Sequence, residues 1–537
     1  MYPLDLKEAH CPAQGDMEVL DATVGALLRA AAAERPEAPA LLEIGMDGRP
    51  GRSWTYGALL ADAERLALAL STRFAPGERI VVWSPNSPEW LLVEYACALA
   101  GITLVTANPS YQAQELRYVL EKSGAAALFL VSEFRGNPMA RIGAEAAAGL
   151  PALREITDME DDAALHESGP RAPAFHEARP EDEAQLQFTS GTTGFPKGAR
   201  LHHRGLVTNA HLYAGRAGVR EGAAWSCFMP MFHTAGCGMT ALGALQTFGR
   251  IVMFRAFDPN AILDRVEADR IELLGGVPTM IFAMLEAQAQ KPRDISSLRM
   301  IVSGGSMVAP ELVRRAKAGF GCGVMTVYGQ TETSPVVTQH WPGDSLEDVT
   351  SSVGQPLPQT AISIRRMEDN SVAAIDEQGE ICIHGYCRML GYDGDEAATA
   401  KTIDAEGWLH TGDLGAMDRR GYVRVTGRVK EMIIRGGENL FPVEIENALL
   451  EHPAIAEVAV VGLPDEKWGE IVAAAIRFAP GPAVDAETLR AHCRARLSPQ
   501  KTPSVWRVAT GFPLTGSGKV KRFALRDEIL AGKLAEL

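Results

Sequence analysis

Short apolar runs, rich in β-branched residues, alternate with longer helix-forming stretches over most of the chain. Examples are RIVVWSP (79–85), AALFLVS (126–132), RIVMFRAF (250–257), IELLGGVP (271–278) and LRMIVSGG (298–305). An Ala/Leu/Glu-rich stretch follows each run after a turn of small residues. This rhythm predicts an α/β fold with largely parallel sheets and helices on both faces. Ligands bind such sheets beyond the carboxyl ends of the strands.

The pattern changes after about residue 350. The segments AISIRRM, GEICIHG and GYVRVTGR are short, alternating and punctuated by Gly, which predicts a small antiparallel sheet or barrel at about 350–427. From about 430 onwards, helical and strand patterns predict a compact α+β unit of domain size. We therefore expect a large N-terminal domain at 1–427, which includes the antiparallel part, and a small C-terminal domain at 428–537, with the boundary at Gly427–Lys430.

Length, charge and cysteine content limit the class of protein. A chain of 537 residues is too long for one hydrophobic core. The net charge of −15 argues against binding to nucleic acid or to an anionic membrane, since both require basic surface. The N-terminal sequence has no apolar signal region, and no apolar run is long enough to cross a bilayer. The eight cysteines show no zinc-binding spacing, so we expect buried free thiols and a cytoplasmic protein.

The segment from Phe188 to Gly198, FTSGTTGFPKG, combines hydroxyls, glycines and one cation. The hydroxyls belong to Thr189, Ser190, Thr192 and Thr193, the glycines are Gly191, Gly194 and Gly198, and the cation is Lys197. Glycines let backbone N–H groups converge on an anion, and a lysine adds a compact positive charge. The segment lacks the order of a Walker A loop, and a flexible surface turn is the alternative explanation. The preceding strand-like stretch and the single lysine favour a phosphate site.

Further motifs follow this loop in a fixed order. They are MPMFHTAGCGM (229–239), VSGG (302–305), YGQTET (328–333), GWLHTGDLG (407–415), GRVKEMIIRGGENLFPVEIE (427–446) and LTGSGKVKR (514–522). With TSGTTGFPKG, this series resembles the adenylate-forming (AMP-binding) enzymes, in their acyl-CoA synthetase or fatty acid:CoA ligase branch. The resemblance covers residues from about 55 to 522.

The resemblance implies an ATP site and assigns roles within it. Tyr328 would pack on adenine, Asp413 would accept the ribose hydroxyls, and Arg428 would contact ribose or phosphate. Thr331 and Thr333 would lie near the AMP phosphate, and Glu332 would hold Mg²⁺. The other residues expected at the nucleotide or metal are Thr189 (at the metal as well), Gly304, Gly305 and Gly329.

The resemblance also implies two half-reactions that use different parts of a mobile C-terminal domain. Lys519 would bring the carboxylate and the α-phosphate together, and Lys430 would be the hinge. Gly436, Gly437 and Glu438 would contact the thiol arm of coenzyme A. The residues expected to take part in catalysis are Lys519, Thr189, Glu332, Lys197 and His233, although the chemistry does not require His233 as a general base.

The acid substrate is the least determined feature. The predicted acyl pocket consists of mainly small or apolar residues: His233, Thr234, Cys237, Gly238, Met239, Gly304 and Gly305. Together with TANPSYQAQELRYVL (106–120), which resembles the same stretch of fatty acyl-CoA synthetases, they favour a medium-chain or longer fatty acid. An aryl or branched acid remains an alternative, because apolar pockets discriminate weakly between similar shapes.

Two other functions are alternatives to the ligase. A free-standing adenylation enzyme would load a carrier protein in place of CoA. A non-catalytic binding protein would be expected to have lost Lys519, Glu332 or Lys197, and all three are present. Nothing in the sequence requires the oxygen chemistry of a luciferase. The expected ligands are therefore ATP, Mg²⁺, CoA and a carboxylic acid, with a homodimer as a family-level expectation.

Overall fold

The computed structural model describes residues 1–189, 196–305, 308–436, 438–479, 481–482, 484–515 and 519–537. The strands up to residue 276 are β1 (His10–Cys11), β2 (Pro39–Ile44), β3 (Pro50–Thr55), β4 (Arg79–Trp83), β5 (Thr103–Ala107), β6 (Ala127–Leu130), β7 (Glu155–Asp158), β8 (Glu183–Thr189), β9 (Lys197–His202), β10 (Ala224–Cys227), β11 (Arg250–Phe254) and β12 (Ile271–Gly276). Those that follow are β13 (Met300–Ser303), β14 (Gly323–Gly329), β15 (Val336–Gln339), β16 (Gln355–Pro356), β17 (Thr360–Arg365), β18 (Gly379–Gly385), β19 (Gly391–Tyr392), β20 (Leu409–Met417), β21 (Val423–Arg428), β22 (Ile433–Arg435), β23 (Glu438–Leu440), β24 (Ile455–Asp465), β25 (Gly469–Phe478), β26 (Val505–Val508) and β27 (Ala535–Glu536).

Helices connect most of these strands. They are α1 (Val24–Glu34), α2 (Tyr56–Arg73), α3 (Pro88–Ala100), α4 (Ala113–Ser123), α5 (Met139–Ala147), α6 (Asp162–Leu165), α7 (His203–Ala217), α8 (Gly243–Gln246), α9 (Pro259–Asp269), α10 (Pro278–Gln290), α11 (Pro310–Phe320), α12 (Leu346–Ser351), α13 (Glu396–Thr402), α14 (Pro442–Leu450), α15 (Ala486–Arg494) and α16 (Arg522–Leu530). A π-helix spans Ala235–Leu242, and 3₁₀ turns span Thr331–Thr333, Val429–Glu431 and Pro499–Lys501.

Two sheets with parallel centres form the larger part of the molecule. One has the order β19-β9-β8-β5-β4-β6-β7, and the strands from β8 to β7 run parallel. The other has the order β16-β15-β14-β13-β12-β10-β11-β2-β3, with a parallel run from β14 to β2. The five apolar runs identified in the sequence all contain strands of these sheets. The predicted α/β fold class is confirmed.

The helices between the two sheets show why the sequence folds in this way. In α3, the Ser87 side chain accepts a hydrogen bond from the Trp90 backbone N–H, and Gly101 ends the helix in the left-handed conformation. Every residue of α3 is buried, because a core shared by both sheets surrounds the helix. Separate cores cover the outer faces of the sheets, so the layers alternate between helix and sheet.

The later part of the chain forms two further sheets. An antiparallel sheet has the order β1-β17-β18-β20-β21, and its isoleucine-rich core includes Ile362, Ile364, Ile381 and Ile383. A mixed sheet has β23-β22-β25-β26-β27 in order, with β24 on β25, and packs against α14 and α15 on one face and α16 on the other. The antiparallel sheet ends at Arg428 and the mixed sheet begins at Ile433. The domain limits at 427 and 428 stay a prediction.

The cysteines and the helices bear on the class of protein. All eight cysteines are free thiols, as the sequence predicted. Seven of them are buried, and Cys322 is partly exposed. Among the helices that the structure describes, none combines the length and apolarity needed to cross a membrane.

Candidate active site

The predicted phosphate loop joins two antiparallel strands. β8 and β9 pair as a hairpin whose last register pair is Thr189 with Lys197, and the Thr189 hydroxyl donates to the Lys197 carbonyl at 3.3 Å. The predicted ligands Ser190, Gly191, Thr192, Thr193 and Gly194 lie outside the described residues. The hairpin therefore fixes both ends of the loop, at the edge where the parallel strands of the same sheet have their carboxyl ends.

Lys197 and Glu332 meet at a tyrosine that the sequence analysis did not select. The hydroxyl of Tyr392 donates to Oε1 of Glu332 at 2.7 Å. The ammonium of Lys197 lies 4.9 Å from the centroid of the Tyr392 ring, a cation–π contact. Tyr392 reaches this place because β19 pairs with β9 close to Lys197. The side chain orients the acid and the cation relative to each other.

Tyr328 to Thr333 form a tight turn at the carboxyl end of β14. A Cβ on Gly329 would lie 1.8 Å from the Pro335 carbonyl oxygen, so only glycine fits there. Thr333 is fully buried, and its hydroxyl is hydrogen-bonded to the carbonyls of Gln330 and Pro335. The Thr333 hydroxyl thus holds the turn, and the expectation that Thr331 and Thr333 lie near the AMP phosphate stays a prediction.

Asp413 is held from two sides. Its Oδ2 accepts from the Tyr328 hydroxyl at 2.9 Å, and its Oδ1 accepts from Nε of Arg428 at 2.6 Å. Arg428 faces Asp413 directly across β20 and β21. Burial raises the pKa of Tyr328 well above its usual value, and the adjacent Asp413 carboxylate raises it further. Tyr328 therefore remains a hydrogen-bond donor, and the three predicted nucleotide residues form one connected group.

Lys519 points into this region from the C-terminal part of the chain. Its Cε lies 3.7 Å from the place where a Cβ would stand on Gly305. Thr515 and Lys519 exchange two hydrogen bonds of 2.6 and 3.0 Å. Burial and the neighbouring Arg428 lower the pKa of Lys519 to about 8, while Asp413 and Glu332 oppose this effect. The structure thus brings Lys519 together with the predicted nucleotide residues.

Several more cations gather at the same place in this acidic protein. Burial lowers the pKa of Lys430, and the positive charges of Lys197, Lys401 and Arg428 lower it further. Lys401 on α13 was not among the residues selected from the sequence. Like-charged side chains repel one another, so this cluster favours a polyanion between them.

The predicted acyl segment is largely enclosed. Burial and the charge of Lys519 lower the pKa of His233 to about 3, and its Nδ1 accepts from the Ala235 N–H at 3.2 Å. His233 is therefore neutral at physiological pH. Thr234 and Cys237 have no exposed surface, and Cys237 belongs to the core between the sheets. Only His233 and Met239 of the selected side chains here are partly exposed.

Of the predicted thiol-binding residues, Gly436 directly follows β22 and Glu438 begins β23, both strands of the mixed C-terminal sheet. The Gly436 N–H donates to the Trp468 carbonyl at 2.7 Å, and Glu438 accepts from Gln500 at 2.8 Å. Gly437, which stands between them, is outside the part of the chain that the structure describes. Gly436 and Glu438 thus contact the connecting segments of the C-terminal sheet, whereas Lys519 reaches the nucleotide residues. The roles of Gly436, Gly437 and Glu438 stay predictions.

Two of these residues show what the sequence could not reveal. Tyr392 stands in the Gly-rich stretch GYDGD, which has no obvious chemical pattern of its own, and Lys401 is one of many helix lysines. Their position in the site depends on pairing between distant segments. For Tyr392, the sequence offered only one weak signal of a functional residue, an aromatic side chain among glycines.

Known families and proteins are similar to this chain over most of its length. The family described as "AMP-binding enzyme" matches residues 28–393, and "AMP-binding enzyme C-terminal domain" matches residues 444–519. The putative acyl-CoA synthetase YngI of Bacillus subtilis (strain 168) is 34% identical over 96% of this chain and 98% of its own. The mitochondrial medium-chain acyl-CoA ligase ACSF2 of Homo sapiens is 34% identical over 94% of this chain and 87% of its own.

Solved structures show the same fold. The o-succinylbenzoate CoA synthetase (MenE) from Bacillus subtilis with the acyl-adenylate intermediate OSB-AMP is 30% identical, with a TM-score of 0.81 over 93% of this chain and 98% of that one. The same enzyme with ATP and a magnesium ion has a TM-score of 0.80 at 30% identity, over 93% of this chain and 99% of that one. The predicted family is confirmed: this chain belongs to the AMP-binding enzymes, in the acyl-CoA synthetase branch.

Proposed function

We propose that this protein is an ATP-dependent carboxylic acid:CoA ligase that acts on a medium-chain or longer fatty acid. It activates the acid as an acyl-adenylate and transfers the acyl group to the thiol of coenzyme A. The observation that carries this proposal is the approach of Lys519 to Gly305, beside Asp413, Glu332 and Arg428. A lysine placed there can neutralise a carboxylate and a phosphate together.

The residues present fit ATP and a magnesium ion. The cations Lys197, Lys401, Arg428 and Lys430 can bind a triphosphate, which would relieve their mutual repulsion. Asp413 has both oxygens oriented by Tyr328 and Arg428, and a carboxylate held in this way can accept ribose hydroxyls. Glu332 is buried and is oriented by Tyr392 through one oxygen, and Thr189 stands at the start of the loop. Mg²⁺, an oxygen-seeking ion, would be held there and would neutralise phosphate charge.

In the first half-reaction, an oxygen of the substrate carboxylate attacks the α-phosphorus of ATP. A new O–P bond forms, the bond between the α-phosphorus and the bridging oxygen breaks, and pyrophosphate leaves. Lys519, protonated below about pH 8, stabilises the charge that builds up between the two anions. The neutral His233 adds no like charge beside Lys519. Positioning and charge stabilisation together supply the rate enhancement.

In the second half-reaction, the thiol sulfur of CoA attacks the acyl carbon. A C–S bond forms, AMP leaves with the former acid oxygen, and the thiol proton passes to solvent. Gly436 and Glu438 would reach the thiol arm after the C-terminal domain rotates about Lys430. The position of Lys519 supports the view that the structure has the pose for the first step. Hinge residues absorb such rotations through a few backbone angles.

The acid class rests on the relatives and on the lining of the site. Relatives named medium-chain acyl-CoA ligases share 34% identity over nearly the whole chain. Met239 and the small residues Gly238, Gly304 and Gly305 would suit an apolar tail. An aryl acid is the second candidate, because the chain also shares 30% identity with an o-succinylbenzoate CoA synthetase.

The test is pyrophosphate release from ATP with a panel of acids, from acetate to palmitate plus benzoate and cinnamate, with and without CoA. Release with the C8–C16 acids that CoA accelerates, with the matching acyl-CoA as product, supports the proposal. Lys519→Ala should abolish this release, and Lys521→Ala, which removes a neighbouring cation, should not. Preference for the aryl acids would support the second candidate. Retention of the adenylate in the presence of CoA would point to a carrier protein as acceptor.

A further inference from the structure

The irregular part of β20 that carries Asp413 is hydrogen-bonded to a carboxylate of the neighbouring strand β18. The N–H of Gly412 donates to Oε1 of Glu380 at 2.9 Å, in a segment where the register of β18 and β20 shifts. The Thr411 hydroxyl donates to the Ile381 carbonyl at 2.7 Å, and the N–H of Asp413 donates to the Thr411 hydroxyl at 3.1 Å. Glu380 therefore holds the residue directly before Asp413.

Glu380 is itself held by a charged histidine. Nδ1 of His410 donates to Oε2 of Glu380 at 2.8 Å, and Nε2 faces Oδ2 of Asp404 at 3.4 Å. The contacts with Cys382 and Glu380 raise the pKa of His410 to about 10, against the effect of burial. His410 is thus an imidazolium at neutral pH, with both nitrogens facing carboxylates. Hydrogen bonds and an ion pair connect Asp404, His410, Glu380 and the N–H before Asp413.

The same cluster has an alternative explanation as a metal site. Ligand atoms of Glu380, Cys382 and His410 lie within 4.8 Å of one another. However, Nδ1 of His410 is 2.8 Å from Oε2 of Glu380, and a proton shared between the imidazole and the carboxylate explains this contact. The contacts between the side chains account for the cluster without an ion.

We propose that Glu380 and His410 are positioning residues for the ribose of ATP. They act through Gly412 and fix where the Asp413 carboxylate stands relative to Tyr328 and Arg428. This inference rests on the proposed function, because it takes Asp413 as the acceptor of the ribose hydroxyls.

The experiment compares ATP with 2′,3′-dideoxyATP, which lacks both ribose hydroxyls, as substrates for pyrophosphate release. A hydrogen bond to a charged acceptor corresponds to a preference of about tenfold or more in kcat/KM, so the wild type should prefer ATP by at least this factor. Glu380→Ala should reduce the preference to about threefold or less, because Asp413 loses its support. Glu380→Gln retains an oxygen that accepts from Gly412 and should keep most of the preference.

Glu377→Ala is the matched control. Glu377 also accepts from a backbone N–H, that of Ala374 at 2.7 Å, and pairs with an arginine, but no hydrogen bond in the described structure connects it to Gly412 or His410. It should keep the wild-type preference. If Glu380→Ala does not fold, as judged by circular dichroism, His410→Gln is tested instead. This variant should reduce the preference for ATP over 2′,3′-dideoxyATP by a factor of at least about three.

The outcomes are distinct. The inference is overturned if Glu380→Ala keeps the wild-type preference for ATP, and the ligase proposal then stands. Where Glu380→Ala is unfolded, the same result in His410→Gln overturns the inference. A preference that Glu380→Gln restores supports it, since a general loss of stability would not change the ratio between two nucleotides. A wild-type protein that releases no pyrophosphate with any acid of the panel overturns the ligase proposal itself, and the inference with it.

Discussion

Tyr392 donates its hydroxyl to Oε1 of Glu332 across 2.7 Å and places its ring beside the ammonium of Lys197. A tyrosine thereby joins the expected metal ligand to the only cation of the expected phosphate loop. A carboxylate that is oriented by a hydrogen bond binds a metal ion more tightly. This contact therefore supports the proposed magnesium site.

We expect Tyr392→Phe to raise the Mg²⁺ concentration for half-maximal pyrophosphate release by about tenfold, the scale at which outer-shell partners of metal ligands act. The measurement is a magnesium titration at saturating ATP and acid. Tyr422→Phe is the control, because Tyr422 also donates to a carboxylate, Asp344, at 2.6 Å, but lies elsewhere. An unchanged magnesium requirement in Tyr392→Phe would mean that Tyr392 does not support a metal ligand.

Lys519 should give the first half-reaction its pH dependence at high pH. Burial and Arg428 lower its pKa to about 8, and only the protonated amine can neutralise two anions. The kcat/KM for ATP, which reports the free enzyme, should therefore fall as the pH rises through about 8. In Lys519→Arg the charge persists at high pH, so the remaining activity should lose this decline. The measurement is pyrophosphate release from pH 6 to about 10. The same decline in the arginine variant would assign it to another group.

Gly436 offers a test of the thiol half-reaction. Its φ is +60°, and a Cβ there would lie 2.9 Å from the ring of Trp468. Gly436→Ala should reduce thioester formation from a supplied acyl-adenylate by about tenfold or more, because a displacement of the hairpin misplaces the thiol. Adenylate formation, which uses Lys519, should change little. Gly532→Ala is the control, since Gly532 has a φ of +66° and open space around it. Equal losses in both half-reactions would contradict the assignment.

The sequence predicted elements whose signal is local. The run IELLGGVP is continuously apolar between turn residues, and its strand lies in the parallel part of a sheet, as such runs should. The two-residue strand His10–Cys11 escaped notice, because its partner in β17 is more than 350 positions away and so short a strand has no period. Pairing over such distances is a property of the folded chain alone.

The candidate site shows the same limit. Asp413 and Lys519 were selected because the motifs around them resemble a family, and the structure brings both to one place. Tyr392 and Lys401 complete that place without any motif. Thr333 was selected with its motif, yet its hydroxyl serves the backbone of the turn. A motif therefore identifies a segment, and only the fold decides which side chain of the segment faces a ligand.

The carboxyl group of Glu94 should make the protein less stable at alkaline pH. Glu94 lies in the core on α3, where Oε1 accepts from Gln185 at 2.7 Å and Oε2 has no partner in the described structure. Burial raises its pKa from 4.5 to about 8, so the folded protein holds a proton that the unfolded chain releases between these values. The free energy of unfolding must then decrease as the pH rises across this window.

Glu94→Gln keeps the shape of the side chain and removes its ionisation. We therefore expect the thermal midpoint of the wild type to fall more between pH 5 and pH 9 than that of the variant, with a difference in unfolding free energy of about 2–4 kcal/mol at the alkaline end. Glu145→Gln, at a position whose side chain is 63% exposed, is the control and should follow the wild type. Parallel midpoint curves for the wild type and Glu94→Gln would mean that the core accommodates the charged carboxylate, through water or a movement of Gln185, and that the proton is lost at the ordinary pKa.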